Sequence, residues 1–238
     1  MTEATKPGEK PTEPSREDDA RFDATDWTYP QGWTIPYYFT TRFLIWIVAL
    51  VYFRLSIRGW RNIPAEGPVL LVSNHGSHLD PPLLSTVCRR RLAFLAKAEL
   101  FENKVFAGLI GGLGAFPIKR GAGDRAALKT SVALLRKGYP MLMFPEGNRT
   151  TTGELGEAKT GVAMLLAQVP ETAIVPVRID GNFQAWPPGA KFPFPRRIRI
   201  TVGKAFRVSD LKDLPEQKKQ LYHEIGQQIM RRIVQAVP

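Results

Sequence analysis

The chain has 238 residues, a formal net charge of +11 and 44% hydrophobic residues. That is enough for one domain with a sizeable core, and the single cysteine, Cys88, excludes an intrachain disulfide framework. Residues 1–32 hold eight acids and four bases, so they carry −4 and the remainder carries +15. A body of that sign favours phosphorylated substrates, acidic lipid surfaces or nucleic acid, and charge alone does not choose among them.

Three segments follow in chain order. Residues 1–32 are rich in Pro, Glu, Thr and Asp and poor in large apolar side chains, the composition of a disordered acidic tail. Residues 33–61 are dense in aromatics, and their longest strongly apolar run, Phe43–Phe53, has 11 residues. A spanning helix needs about 20. Arg42 and Arg54 bracket the run, so the pattern predicts a helical region lying at a water–lipid interface. A full span would have to extend upstream through Arg42 and Pro36. Packing of this helix onto the core is the competing reading.

Residues 62–238 hold the folded domain. Strands are predicted over Val69–Ser73, Leu92–Ala96, Ala115–Ile118, Met141–Phe144, Ile174–Ile179 and Ile198–Val202. Helices are predicted near Pro82–Val87, Val105–Gly111, Arg125–Lys137 and Gly161–Ala167. This alternation predicts an α/β domain with a mostly parallel central sheet flanked by helices. At the C-terminus, Leu221, Ile225, Ile229 and Ile233 recur every four residues, the mark of a helix with one buried face. Asn182–Pro195, with four prolines and several aromatics, reads as a loop that touches lipid or caps the core.

Four stretches carry chemistry. After the first buried strand come Asn74, His75 and, five residues beyond the histidine, Asp80. A helix starting near Ser77 folds the carboxylate back onto the imidazole. A carboxylate there fixes the tautomer and makes His75 a general base for an alcohol, with no acylated side chain required. The stretch Phe144-Pro145-Glu146-Gly147-Asn148-Arg149-Thr150 offers a tight glycine turn, a hydroxyl acceptor in Glu146 and a phosphate partner in Arg149. Gly111 to Arg120 ends in two adjacent cations, Lys119 and Arg120, at the carboxyl end of a strand, where open α/β sheets bind ligands. Lys159 precedes a helix start, which attracts anions. A base, a hydroxyl acceptor and a cationic cradle fit a phosphorylated alcohol, and the aromatic N-terminal region suggests that the alcohol carries a fatty chain.

On these residues the chain resembles the PlsC-type glycerolipid acyltransferases, which include the 1-acylglycerol-3-phosphate acyltransferases. Asn74, His75 and Asp80 match the first family motif. Gly114 to Arg120 match the second, with Lys119 where aspartate is common. Phe144 to Thr150, including Pro145 and Gly147, match the third with Asn148 and Thr150 substituted, and Val175-Pro176-Val177 match the fourth. The resemblance implies that His75 deprotonates the free hydroxyl of a lysophospholipid, which attacks the thioester of an acyl-CoA or acyl carrier protein. Asp80 would orient His75, Arg120 and Arg149 hold the acceptor phosphate, and Glu146 position the glycerol. It implies no cofactor and no metal. The expected placement is membrane-associated, at the cytoplasmic face.

Three rivals stand beside this reading. His75, His78 and Asp80 suggest a metal site, but His223 is the one other histidine and no cysteine cluster completes a set. A nonenzymatic membrane scaffold of the same fold would need none of His75, Asp80, Glu146 and Arg120. Nucleic-acid binding is not expected, because the aromatics cluster with aliphatics and no recognition motif appears. Within the enzyme class, the acceptor can be another lysolipid, such as lysophosphatidylglycerol or an ornithine lysolipid.

Overall fold

The computed structural model describes residues 34–118 and 123–236. The acidic segment 1–32 and the cations Lys119 and Arg120 lie outside the described residues.

The central strands follow from their composition. β2 (Val69–Ser73) is buried along its whole length, as a strand covered by helices on both faces must be. Its side chains alternate. Leu70 and Val72 join one apolar cluster, and Val69 and Leu71 join the other. β3 (Ala93–Lys97), β4 (Ala115–Ile118), β5 (Pro140–Met143) and β6 (Ala173–Asp180) complete a parallel block with β2. β7 (Arg199–Val202) pairs antiparallel to β6, and β1 (Ser56–Arg58) pairs parallel to β7. The order across the seven strands is β1-β7-β6-β2-β5-β3-β4. The expected mostly parallel sheet is therefore present, with an oppositely directed pair at one edge.

Two helical layers enclose it. α4 (Gly123–Arg136), α5 (Gly161–Leu166) and α7 (Lys218–Gln235) cover one face through Leu134, Leu135, Leu165, Ile225, Ile229 and Ile233. The four-residue rhythm of α7 thus places its apolar side on the core. α1 (Thr34–Tyr52) and α2 (Asp80–Val87) cover the other face through Ala49, Leu83, Leu84 and Val87. α3 (Lys104–Gly112) also lies against α1: a β-carbon on Gly112 would sit 2.0 Å from a ring carbon of Tyr37.

α1 lies inside the expected helical region 33–61 and is longer than its most apolar run. It starts nine residues before the Phe43–Phe53 run, at Thr34, and extends to Tyr52. Pro36 falls in its first turn, where a missing N–H costs no helical bond. Arg42 is turned inward, its guanidinium donating to the Thr86 carbonyl at 3.2 Å. Tyr38 and Ala49 are buried, whereas Phe43, Leu44, Val48 and Val51 are exposed. The helix therefore packs on the domain along one side and leaves the other side apolar and bare, a combination of both readings offered by the sequence.

Candidate active site

Three adjacent parallel strands, β5, β2 and β6, deliver their carboxyl ends to one edge of the sheet. β2 runs into Asn74 and His75, β5 into Phe144 to Glu146, and β6 into Gly181 and Asn182. The chain folds here as the sequence suggested, with one adjustment. α2 begins at Asp80 rather than near Ser77, with Pro81 and Pro82 in its first turn. A turn over Ser77–Leu79 brings the Asp80 N–H to the Ser77 carbonyl at 3.3 Å.

Asp80 is fully buried. Its Oδ2 lies 2.8 Å from His75 Nδ1 and accepts from the backbone N–H groups of Gly76 and Ser77, both at 2.8 Å. Its Oδ1 accepts from Asn182 Nδ2 at 2.8 Å. A carboxylate only accepts, so Nδ1 of His75 is the donor, and in the neutral imidazole Nε2 is the nitrogen with the lone pair. The imidazole retains 17% side-chain exposure and stacks on Phe144, with ring centroids 3.8 Å apart and planes 11° from parallel. The result is a held ring, one nitrogen fixed and the other able to take a proton.

Glu146 enters from the neighbouring strand. Its Oε1 accepts the His75 backbone N–H at 2.9 Å, and its Oε2 accepts that of Gly156 at 3.0 Å. The sequence reading gave this carboxylate to a substrate hydroxyl. In the structure it also bolts the histidine loop to the loop after β5. A second tie runs from the Thr150 N–H to the His75 carbonyl at 2.9 Å. Arg149, adjacent to this tie, is half-buried. Lys159 donates its backbone N–H to the Pro145 carbonyl at 2.8 Å, and its side chain lies over Gly147. A β-carbon there would meet Lys159 Cδ at 2.8 Å, and φ is +72°. The positive φ is what favours glycine here, since the flexible Lys159 side chain can move aside.

Asn74 works as a clamp. Its Nδ2 donates to the Ile179 carbonyl at 2.9 Å and its Oδ1 accepts the Ile179 N–H at 2.8 Å, joining the ends of β2 and β6. Pro176 sits apart from this edge, inside β6 opposite Val72 and packed against Gly203. β4 ends at Ile118 on the same edge of the sheet, three strand positions from β2, roughly 14 Å at ordinary strand spacing. The predicted cations Lys119 and Arg120 follow it and lie outside the described residues.

Sequence reasoning missed Asn182, Phe144 as a stacking partner, and Gly76. A β-carbon on Gly76 would lie 2.9 Å from Asn182 Nδ2. The signal for Asn182 was its place at the end of a parallel strand, the position that also singled out the other motifs. His78, considered as a metal ligand, instead faces Trp186, with ring centroids 5.7 Å apart. Cys88 is buried at the end of α2, and burial pushes its thiol above the usual range, the opposite of an activated nucleophile.

With this geometry in place, the comparisons converge. Residues 54–180, over half of the chain, match the family model described as Acyltransferase. The chain belongs to that acyltransferase family. It is 30% identical over 152 residues to a chloroplastic 1-acyl-sn-glycerol-3-phosphate acyltransferase of Arabidopsis thaliana, covering 62% of this chain and 42% of the relative. It is 27% identical over 173 residues to the 1-acyl-sn-glycerol-3-phosphate acyltransferase of Bacillus subtilis, covering 69% and 83%. The chain thus spans less than half of the plant relative and most of the bacterial one. The crystal structure of the 1-acyl-sn-glycerophosphate acyltransferase from Thermotoga maritima superposes with a TM-score of 0.63 at 19% identity, over 85% of this chain and 97% of that one. At that identity the match speaks to the fold.

Proposed function

We propose that this protein transfers a fatty acyl group from a thioester donor, acyl-CoA or acyl carrier protein, to the free hydroxyl of 1-acylglycerol-3-phosphate. The observation that carries this reading is the His75 imidazole, pinned through Nδ1 by a buried carboxylate that is itself held by three further N–H donors. Nε2 takes the hydroxyl proton as the alcohol oxygen attacks the thioester carbonyl. The new C–O bond forms, the C–S bond breaks, and the proton on Nε2 passes to the departing sulfur. The products are phosphatidate and the free thiol carrier. No acyl-enzyme is needed, because the base acts on the acceptor alcohol itself. Asp80 keeps the ring oriented and balances the transient imidazolium. Glu146 holds the backbone at His75 and has lone pairs left for a glycerol hydroxyl. Arg120 is assigned to the acceptor phosphate, with Lys119, Arg149 and Lys159 adding to the positive field.

The proposed setting is a membrane surface at its cytoplasmic face. α1 is 19 residues long, about 28 Å at the usual rise, so its length alone would reach across a bilayer core. It is instead docked lengthwise, with Tyr38 and Ala49 buried and Arg42 bonded to α2. An apolar helix held flat on a domain suits the interface plane, where a lysolipid enters sideways from the leaflet.

The test incubates the full chain with labelled acyl-CoA or acyl carrier protein and a panel of lysolipids, followed by lipid analysis. Conversion of lysophosphatidate to phosphatidate is expected. Transfer confined to an ornithine lysolipid or lysophosphatidylglycerol would replace the acceptor, and no transfer to any lysolipid would favour the scaffold reading.

A further inference from the structure

The stretch between α6 (Asn182–Ala185) and β7 holds two bare aromatic rings, Phe192 at 78% exposure and Phe194 at 49%. The backbone beneath them is pinned. The Phe194 N–H donates to the Ala185 carbonyl at 2.6 Å and the Arg196 N–H to the Phe194 carbonyl at 2.8 Å. Trp186 Nε1 donates to the Ala190 carbonyl at 2.9 Å. Pro187, Pro188, Pro193 and Pro195 restrict the backbone further. The ordering cost of presenting these rings is therefore already met by the fold, and exposed rings on a stiff loop mark a contact surface.

This loop abuts α1. The Tyr52 hydroxyl, in the last turn of the helix, donates to the Pro193 carbonyl at 2.9 Å, and neighbouring Val51 is 75% exposed. The charge pattern is equally continuous. Residues 34–65 contain Arg42, Arg54, Arg58 and Arg61 and no acid. Residues 181–209 contain six Lys and Arg and no acid. β1 and β7 bring the two segments together at one sheet edge, with Ser56 opposite Arg199 and Arg58 opposite Thr201.

We propose that residues 191–197 form a second lipid-contact element. Phe192 and Phe194 enter the leaflet beside the end of α1, and Lys191, Arg196 and Arg197 rest on anionic headgroups. The proposal rests on the reading of α1 as a helix at a membrane. It adds a functional link. The chain leading directly into it carries Asn182, bonded to Asp80, and Trp186, against His78. Two points of contact, the helix and the loop, fix how the catalytic edge is tilted over the lipid.

Because Cys88 is fully buried, a surface cysteine can be labelled selectively in the full chain. An environment-sensitive fluorophore is placed at Phe192→Cys, at Val51→Cys and, as a control on the opposite face of the sheet, at Gln220→Cys. The probes are phosphatidylcholine vesicles with and without about a third phosphatidylglycerol. Positions 192 and 51 are expected to shift to the blue and become shielded from an aqueous quencher on anionic vesicles, with position 220 unchanged. A label at 192 that stays in water while 51 enters lipid overturns this proposal and leaves the reading of α1 intact. If neither enters, the reading of α1 falls as well. In a second measurement, the double variant Phe192→Ser, Phe194→Ser should bind anionic vesicles at least about tenfold more weakly with an unchanged melting temperature. Undiminished binding overturns the proposal. Equal binding of the unaltered protein to neutral and anionic vesicles overturns the role given to the three cations.

Discussion

Asp80 and Val51 stand at opposite extremes of this molecule. Asp80 is wholly buried and four N–H groups meet its two oxygens, whereas Val51 is 75% exposed on a helix whose outer side is mostly apolar. Around the first, the chain supplies every partner itself. Around the second, it supplies none on the outward side. A buried charge left incomplete is costly at once, so the catalytic corner has to be finished by folding. Exposed apolar surface carries no such penalty in the isolated protein and is finished by what the protein rests on.

The difference can be broken or sharpened by substitution. The largest effect on activity is expected for His75→Ala, a loss in kcat on the order of 10² to 10⁴ in a chain that still folds, with about 1 kcal/mol of stability lost as one donor leaves Asp80. Near-normal turnover would remove His75 from the chemistry. Asp80→Asn turns an amide NH₂ toward donors that need an acceptor. It should cost about 1–3 kcal/mol in denaturant unfolding and lower kcat as well. Asn182→Ala removes one donor from Asp80 and should give a smaller loss, about 1 kcal/mol, accompanied by a fall in kcat with little change in KM. Asn182→Asp should be worse than alanine, since it sets a second carboxylate against the first. Val51→Ser is expected to move unfolding by less than about 0.5 kcal/mol while weakening vesicle binding. A stability loss on the outer face of α1 as large as that at Asp80 would erase the contrast.

Legibility followed the same division. The central strands are readable because β2 and β5 are short, almost wholly apolar runs and β6 opens on one, from Ala173 to Val177, and β2 and β4 have the predicted bounds. His75 with Asp80, and the loop after β5, were readable because their spacing is local. β1 was not, since three residues pairing only with β7 leave no periodic trace. The reversed direction of β7 and β1 was equally silent, because strand direction depends on the connection and not on the strand. The length of α1 is harder to read, because Arg42 breaks the apolar run in sequence, while in space the Thr86 carbonyl accepts a hydrogen bond from its guanidinium. Glu146 was read by its side chain alone. Its partners within the fold are backbone N–H groups, which every residue but proline carries and no composition reveals.

The bonds that assemble the catalytic corner join distant parts of the chain. Glu146 reaches His75 across 71 positions, Asn182 reaches Asp80 across 102, and Asn74 reaches Ile179 across 105. Closing loops of that length comes late and slowly. A nascent or half-refolded polypeptide that has paired only β2 with β5 therefore lacks the donor from Asn182 and the clamp on β6. During refolding, the return of turnover should lag the return of helical signal, because all three of these distant closures have to be in place before the first catalytic cycle.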